Sequence, residues 1–386
     1  MSFMNKTLFK AVVVLLCTAF CFTFFPGQAR GAEPDVSAQS AVLMDQSTGR
    51  LLFNRNGEEK LPIASITKVM TAVLAIESGK MNQLVTVSSE AVKTEGSSLY
   101  LKSGEKISLR DLVYGLMLRS GNDASLAIAE AVGGSKQGFV LMMNEKAAEL
   151  GMTDTHFMNP NGLEHPDHYS TAHDMAILTK YAMTDSAFRK ITGTKIYRAR
   201  ATNKEEARSW LNKNKLLRQY KYTTGGKTGF TRAAGRTLIS TASKKGMDLI
   251  VVTLNDGNDW RDHKNLYEWG FSEFTPTKLM DKGPVHAKVA PFYKGKLFVK
   301  STIVLPLSVE EKRKIKKELI LLRPPKRAKE WKPAQPAGRL LFKLNGRVVT
   351  SVPVYYKNQK KAKKKFWTLF GGFIEAAFTG RERPRR

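Results

Sequence analysis

A serine and a lysine stand three residues apart in "LPIASITKVMTAVLAI", residues 61–76, where an apolar run begins. A serine hydroxyl is a weak nucleophile until a base takes its proton. A lysine amine at i+3 on the same helix face can be that base. It serves only if burial and nearby positive charge keep it neutral. Serine is also a frequent helix cap, so Ser65 and Lys68 alone do not separate a nucleophile from a capping residue.

Two further elements join the pair. Ser120-Gly121-Asn122 falls between two helical patterns, and Lys227-Thr228-Gly229 lies on a strand pattern. S-x-x-K, a serine-x-asparagine element and K-T-G occur together in penicillin-binding proteins and class A β-lactamases, and it is by that known association that the set stands out. Its residue types suit acyl transfer. Ser65 would attack, and Lys68 would take its proton. The Ser65 N–H would meet the developing oxyanion, with a second donor from the N–H of Phe230 on the strand after Lys227. Ser120 would relay a proton to the leaving amine, Asn122 would bond the substrate amide, and Lys227 with Thr228 would hold a terminal carboxylate.

These residues need a scaffold. "SAVLMDQSTGRLLFNRN" reads as a hairpin turning at Gln46 to Gly49. Pro62 precedes a helix beginning near Ser65, with Val69, Val73 and Ile76 at helical spacing. Helices are expected to end near Leu118, to start near Asp123, to cover Phe139–Leu150 and to run through "TAHDMAILTKYAM". "GGKTGFT", "RTLISTASKKGMDLIVVTLND" and the turn at Lys244-Lys245-Gly246 read as consecutive antiparallel strands. A sheet built from both ends of this region, with a helical cluster on it, is the simplest assembly. From about Phe274 the composition turns to Lys, Pro, Val and Leu, as in a small all-β domain.

"ASITKVMTA", "LMLRSGNDAS", "NPNGL", "HYSTAHDMA" and "GGKTGFTRAAGRTL" are together similar, in order, to blocks of the serine D-alanyl-D-alanine carboxypeptidases, the low-molecular-mass penicillin-binding proteins. The resemblance covers roughly residues 36–275. It implies an α/β (in detail α+β) serine β-lactamase/transpeptidase-like catalytic domain over 33–275, then the small all-β domain over 276–359. It puts the family's nucleophile on Ser65, its base on Lys68, its second-motif serine on Ser120 and its carboxylate-binding lysine on Lys227, beside Thr228, Gly229 and Phe230. It implies removal of the last D-alanine from peptidoglycan stem pentapeptides, acylation by β-lactams, and no metal or organic cofactor.

Rival readings rest on fewer residues. A class A-like β-lactamase would need a carboxylate-activated water, and no Glu-x-x-Leu-Asn block lies between the second and third motifs; Glu164 is the nearest candidate. His165, His168 and His173 are spaced H-x-x-H-x₄-H, which matches no familiar zinc helix. A non-catalytic wall- or membrane-binding protein would put the function in the basic C-terminal part. There, 28 Lys+Arg against 7 Asp+Glu over residues 281–386 give +21 of the net +29, leaving +8 for the rest.

The ends of the chain set the expected location. "MSFMNKTLFKAVVVLLCTAFCFTFFPGQARGA" has the charged, apolar, small-residue order of a secretory signal peptide, with cleavage expected after Ala29. Both cysteines, Cys17 and Cys21, lie inside it, so the mature chain would use neither disulfide nor thiol chemistry. An exported basic protein meets membrane and wall rather than nucleic acid. In residues 360–386, five lysines between Lys360 and Lys365 precede Phe366, Phe370, Phe373 and Ala377 on one helical face, with Trp367, Ile374 and Phe378 beside them. That pattern predicts an amphipathic helix on an anionic membrane surface, at the outer face of the cytoplasmic membrane.

Overall fold

The computed structural model describes residues 32–324 and 335–357. The expected signal segment and amphipathic tail lie outside them. Two compact units divide the described chain: 32–44, 52–244 and 249–273 form one, and 45–51, 245–248 and 274 onward form the other.

The first unit is built on a five-stranded sheet. In chain order its strands are β1 (Ser40–Asp45), β2 (Leu51–Arg55), β3 (Thr223–Thr231), β4 (Gly235–Lys244) and β5 (Met247–Leu254), and across the sheet they run β2-β1-β5-β4-β3. Both chain ends of the unit therefore meet in one sheet, and β3 stands at its edge. β3 pairs antiparallel with β4, Lys227 opposite Ile239 and Phe230 opposite Arg236.

Helices α1 (Lys68–Glu77), α2 (Leu109–Arg119), α3 (Asn122–Gly133), α4 (Lys136–Leu150) and α5 (Ala172–Ala182) form the helical cluster. Their starts follow from sequence. Ser108, Ser135 and Thr171 each accept a backbone N–H of the first turn in α2, α4 and α5, satisfying donors that would otherwise lack partners. α1 differs, for every residue from Lys68 to Ala75 is buried. A helix apolar on all sides belongs inside a core. Each fully buried Val, Leu or Met there contributes about 1.5–3 kcal/mol relative to an exposed one. The only ionisable side chain in that stretch is Lys68.

The second unit is mainly strands. β6 (Thr275–Met280) pairs antiparallel with β9 (Ile303–Leu307). β7 (Gly283–Pro284), β8 (Leu297–Val299), β10 (Lys316–Leu321), β11 (Pro336–Leu344) and β12 (Arg347–Tyr356) form a second sheet in the order β7-β8-β12-β11-β10. Its core gathers Tyr293, Leu297, Ile303, Leu340, Phe342, Val354 and Tyr356. Among the described residues one short helix, Val309–Lys314, interrupts the strands, started by a capping box between Ser308 and Glu311.

Candidate active site

Ser65 does not open the α-helix itself. It sits in a 3₁₀ turn, Ala64–Thr67, and the α-helix begins at Lys68. Ala64, just before the serine, has φ +48°. A left-handed alanine costs about 1–2 kcal/mol, so the surroundings must impose it. Thr237 of β4 donates to the carbonyl of Ile63 (3.0 Å), and Thr67 donates to that of Ala64 (2.8 Å). Gly229 lets β3 press onto the turn: a Cβ there would lie 2.4 Å from Thr237 Oγ1 and 2.9 Å from Ser65 N. K-T-G thus needs its glycine so that the strand can approach the nucleophile's backbone.

The turn delivers the expected pair. Lys68 Nζ lies 2.9 Å from Ser65 Oγ, 2.7 Å from Asn122 Oδ1 and within hydrogen-bonding distance of the Asn161 carbonyl. Burial pushes the Lys68 amine well below its ordinary pKa, and Lys227 and Lys213 add to the effect, against Asp123. A neutral amine has two N–H bonds and one lone pair. Asn122 Oδ1 and the Asn161 carbonyl accept the two hydrogens, which leaves the lone pair for the Ser65 hydroxyl.

Ser120 ends α2 in the left-handed region at φ +67°, a second strained non-glycine position at the site. Its hydroxyl accepts from Lys227 Nζ at 3.0 Å, and Lys227 also donates to the Thr228 carbonyl at 2.7 Å. Burial pushes Lys227 down to about 7, with Lys213 contributing. The three sequence elements therefore converge on one group of side chains.

Asn122 sits between the base and a neighbouring loop. Its Oδ1 accepts from Lys68, and its Nδ2 donates to the Glu95 carbonyl. Both ends of the amide are engaged and the residue is 4 % exposed, so without a substrate Asn122 is bonded to the base. Thr228, Gly229 and Phe230 do line the cleft, of about 380 Å³, together with Ser65, Ser120, Lys213 and Arg236. Phe230 is exposed at its rim.

Several residues at the site are given no role by the three motifs. Lys213 lines the cleft, donates to Ser97 Oγ (3.2 Å) and is itself held below its ordinary pKa by burial and by Arg119. Asp123 accepts from the N–H groups of Leu99 and Leu101 and from Ser98 Oγ, and so ties the loop beside the cleft to the start of α3. Arg236, opposite Phe230, is clamped by Asp259 and stacked on Trp260. Lys213, Asn161 and Arg236 come from segments remote from Ser65, and only the fold brings them there.

The candidate residues of the rival readings have other partners. His168 is buried, bonded to Thr67 and Met158; His173 lies 2.8 Å from Glu58; His165 faces Asp167. Among the described residues no cluster of His, Cys, Asp or Glu is arranged to hold a metal. The Glu164 carboxylate accepts from the N–H of Ala233 at 2.9 Å, a bond that holds its pKa down.

Comparison with known proteins finds similarity over most of the chain. The D-alanyl-D-alanine carboxypeptidase family model matches residues 28–258, and the model of the penicillin-binding protein 5 C-terminal domain matches 274–362. D-alanyl-D-alanine carboxypeptidase DacF of Bacillus subtilis is 32% identical over 374 residues, spanning 93% of this chain and 95% of that protein. DacC of Escherichia coli is 36% identical over 289 residues, 68% of this chain and 70% of that protein. The crystal structure of penicillin binding protein 5 from Haemophilus influenzae superposes with a TM-score of 0.72 at 28% identity, covering 85% of this chain and 98% of that one.

Proposed function

The chain belongs to the D-alanyl-D-alanine carboxypeptidase family, and from that premise we propose how its residues perform the reaction. It is a serine-type D-Ala-D-Ala carboxypeptidase of the penicillin-binding kind, acting in cell-wall metabolism on peptidoglycan stem peptides and binding β-lactams. Its nucleophile is Ser65. The observation that carries this reading is the buried Lys68 amine, 2.9 Å from Ser65 Oγ, with two acceptors for its two hydrogens.

The steps follow from that geometry. Lys68 takes the hydroxyl proton as Ser65 Oγ attacks the carbonyl carbon of the penultimate D-alanine. The N–H groups of Ser65 and Phe230 receive the oxyanion, donors that cost no reorganisation because the turn and the strand already hold them. Collapse breaks the peptide bond. The departing D-alanine amine receives, through the Ser120 hydroxyl, the proton that Lys68 took from Ser65, which returns Lys68 to its neutral form; Lys227 holds that hydroxyl in place. Lys227 and Thr228 bind the terminal carboxylate, while Asn122 holds the base in place. Water then cleaves the ester on Ser65, with Lys68 again as base, and releases the shortened peptide.

Mass spectrometry after benzylpenicillin tests the assignment. A single adduct should map to the peptide carrying Ser65, and Ser65→Ala should abolish both the adduct and D-alanine release. An adduct that survives in Ser65→Ala overturns it.

The location is a second reading, supported by sequence pattern alone. The protein is exported through its first 29 residues and held at the outer face of the cytoplasmic membrane by residues 360–386, whose lysines and aromatic face suit an anionic surface.

A further inference from the structure

We propose that Thr67 and His168 are positioning residues that fix the Ala64–Ser65 peptide and so aim the Ser65 N–H at the oxyanion. The inference rests on Ser65 being the acylated residue and adds what holds its backbone. That peptide has two ends. Its N–H belongs to the nucleophile and lies under Gly229 of β3. Its C=O belongs to Ala64, which the turn holds in the left-handed region. Rotation of this one peptide plane would swing the N–H away from the cleft without moving the Ser65 side chain far.

A chain of hydrogen bonds grips the carbonyl end. The N–H of Met158 donates to His168 Nδ1 at 3.0 Å. This fixes the tautomer with the proton on Nε2, which lies 2.8 Å from Thr67 Oγ1 and donates to it. The Thr67 hydrogen is left for the Ala64 carbonyl, 2.8 Å away. Every bond in the chain points the same way. Thr67 is fully buried and His168 is 4 % exposed, so water does not compete for these groups. Burial pushes His168 down to about 4, with His156, His165 and Lys68 adding to it, so the ring stays neutral at neutral pH. The far side is sterically closed: a Cβ on Gly162 would stand 1.9 Å from the Ala64 oxygen. A donor on a peptide carbonyl also polarises the amide, which makes its N–H a stronger donor.

Two matched pairs of variants of the full-length protein test this. Thr67→Val keeps the shape and loses the hydroxyl; Thr67→Ser keeps the hydroxyl. His168→Leu loses both ring contacts, whereas His168→Gln has an N–H for Thr67 and an oxygen for Met158. Losing an oxyanion donor outright lowers kcat by about 10²–10³, so a donor kept but misaimed should cost about 10–100-fold. We expect that loss in Thr67→Val and His168→Leu. It should appear in kcat for D-alanine release and in the acylation rate by benzylpenicillin, with KM nearly unchanged. Thr67→Ser and His168→Gln should recover most of it, and the adduct should still map to Ser65. The proposal is overturned if Thr67→Val keeps its kcat, if the loss appears in KM alone, or if His168→Gln is no better than His168→Leu. If Thr67→Val does not fold, the His168 pair decides. An adduct on another residue overturns the nucleophile assignment and this proposal with it; the other failures leave that assignment standing.

Discussion

In the unit that carries Ser65, Lys68 and Lys227 are enclosed among carbonyls, hydroxyls and one amide, each at most 1 % exposed. In the β-rich unit three lysines stand over aromatic rings: Lys300 lies 3.6 Å from the Tyr355 ring centroid, and Lys296 and Lys317 lie over Tyr356 and Phe342. The same side chain has opposite chemistry in the two places. Burial strips water from the first pair and lowers their pKa values, which turns a permanent cation into a base or a titratable anchor. The second group stays in reach of water, and a lysine over a ring at such a site contributes about 0.5–1 kcal/mol. Most of the net positive charge lies in the C-terminal part, yet the lysines assigned to the reaction lie outside it. Charge count says where the chain is basic; burial says where a lysine reacts.

The sharpest way to break this comparison is to remove one lysine of each kind. Lys68→Ala should lower acylation by benzylpenicillin by about 10²–10⁴-fold, the usual contribution of a general base. Lys300→Ala should leave it unchanged. Stopped-flow labelling of the two variants measures both. Near-normal acylation in Lys68→Ala near pH 7 would show that another group takes the Ser65 proton.

The two buried lysines should also differ from one another. Lys227 acts as an anchor, so its loss should depend on the end of the substrate. A charge-assisted bond contributes about 1.5–3 kcal/mol, so Lys227→Ala should lower kcat/KM by about 10–150-fold on a peptide ending in D-Ala-D-Ala carboxylate. The amidated peptide should already be poor with the unaltered enzyme and lose little more. Equal losses on acid and amide would mean that Lys227 serves some other group.

A subtler effect is the pH dependence. Lys227 in the free enzyme is held at about 7, so it is protonated below that pH and loses its charge as pH rises through it. Carboxylate capture needs the charged form. The profile of kcat/KM for the acid peptide should therefore fall on its alkaline side with a limb near pH 7. The amidated peptide should lack that limb. In kcat the limb should move to higher pH, because a bound carboxylate stabilises the ammonium. A limb shared equally by both peptides would assign it to another group.

Much of this architecture is legible in the sequence, for identifiable reasons. The hairpin at the start and the consecutive antiparallel strands of "RTLISTASKKGMDLIVVTLND" follow local rules that the fold obeys. The three motifs are legible because each is short and each carries side-chain chemistry. What stayed hidden is of other kinds. Asn161 acts through a backbone carbonyl, which no residue type announces. Lys213 reaches the cleft by folding, from a segment whose pattern gives no reason to single it out. The orientation of the Asn122 amide depends on whether Lys68 or a substrate claims its oxygen, and spacing does not decide that. Ala64 reads as a helix start, yet it adopts φ +48° because Thr67, Thr237 and Gly162 surround it. His168 reads only as one of a loose group of loop histidines, and its burial as a link to the nucleophile's turn comes from the fold.

The smallest expected effect on catalysis comes from the end of the chain. Deleting residues 360–386 should leave D-alanine release from soluble peptides unchanged. The residues that line the cleft end at Trp260. The last described strand is tied off by the N–H of Lys357 donating to the Lys296 carbonyl at 2.7 Å, a bond the deletion does not touch. Membrane binding should respond in the opposite sense. Phe366, Trp367, Phe370, Phe373, Ile374 and Phe378 would each contribute about 1.5–3 kcal/mol if fully buried in lipid, and less on partial insertion. The lysines from Lys360 to Lys365 would add about 1 kcal/mol each near an anionic surface, a part that salt screens. Sedimentation with anionic vesicles separates the two contributions. The full-length protein should pellet, bind less in high salt without being fully released, and stay in solution once truncated. If the truncated protein pellets equally, the comparison sharpens differently: the surface lysines of the β-rich unit, or the apolar segment before Ala29, then hold the enzyme at the membrane.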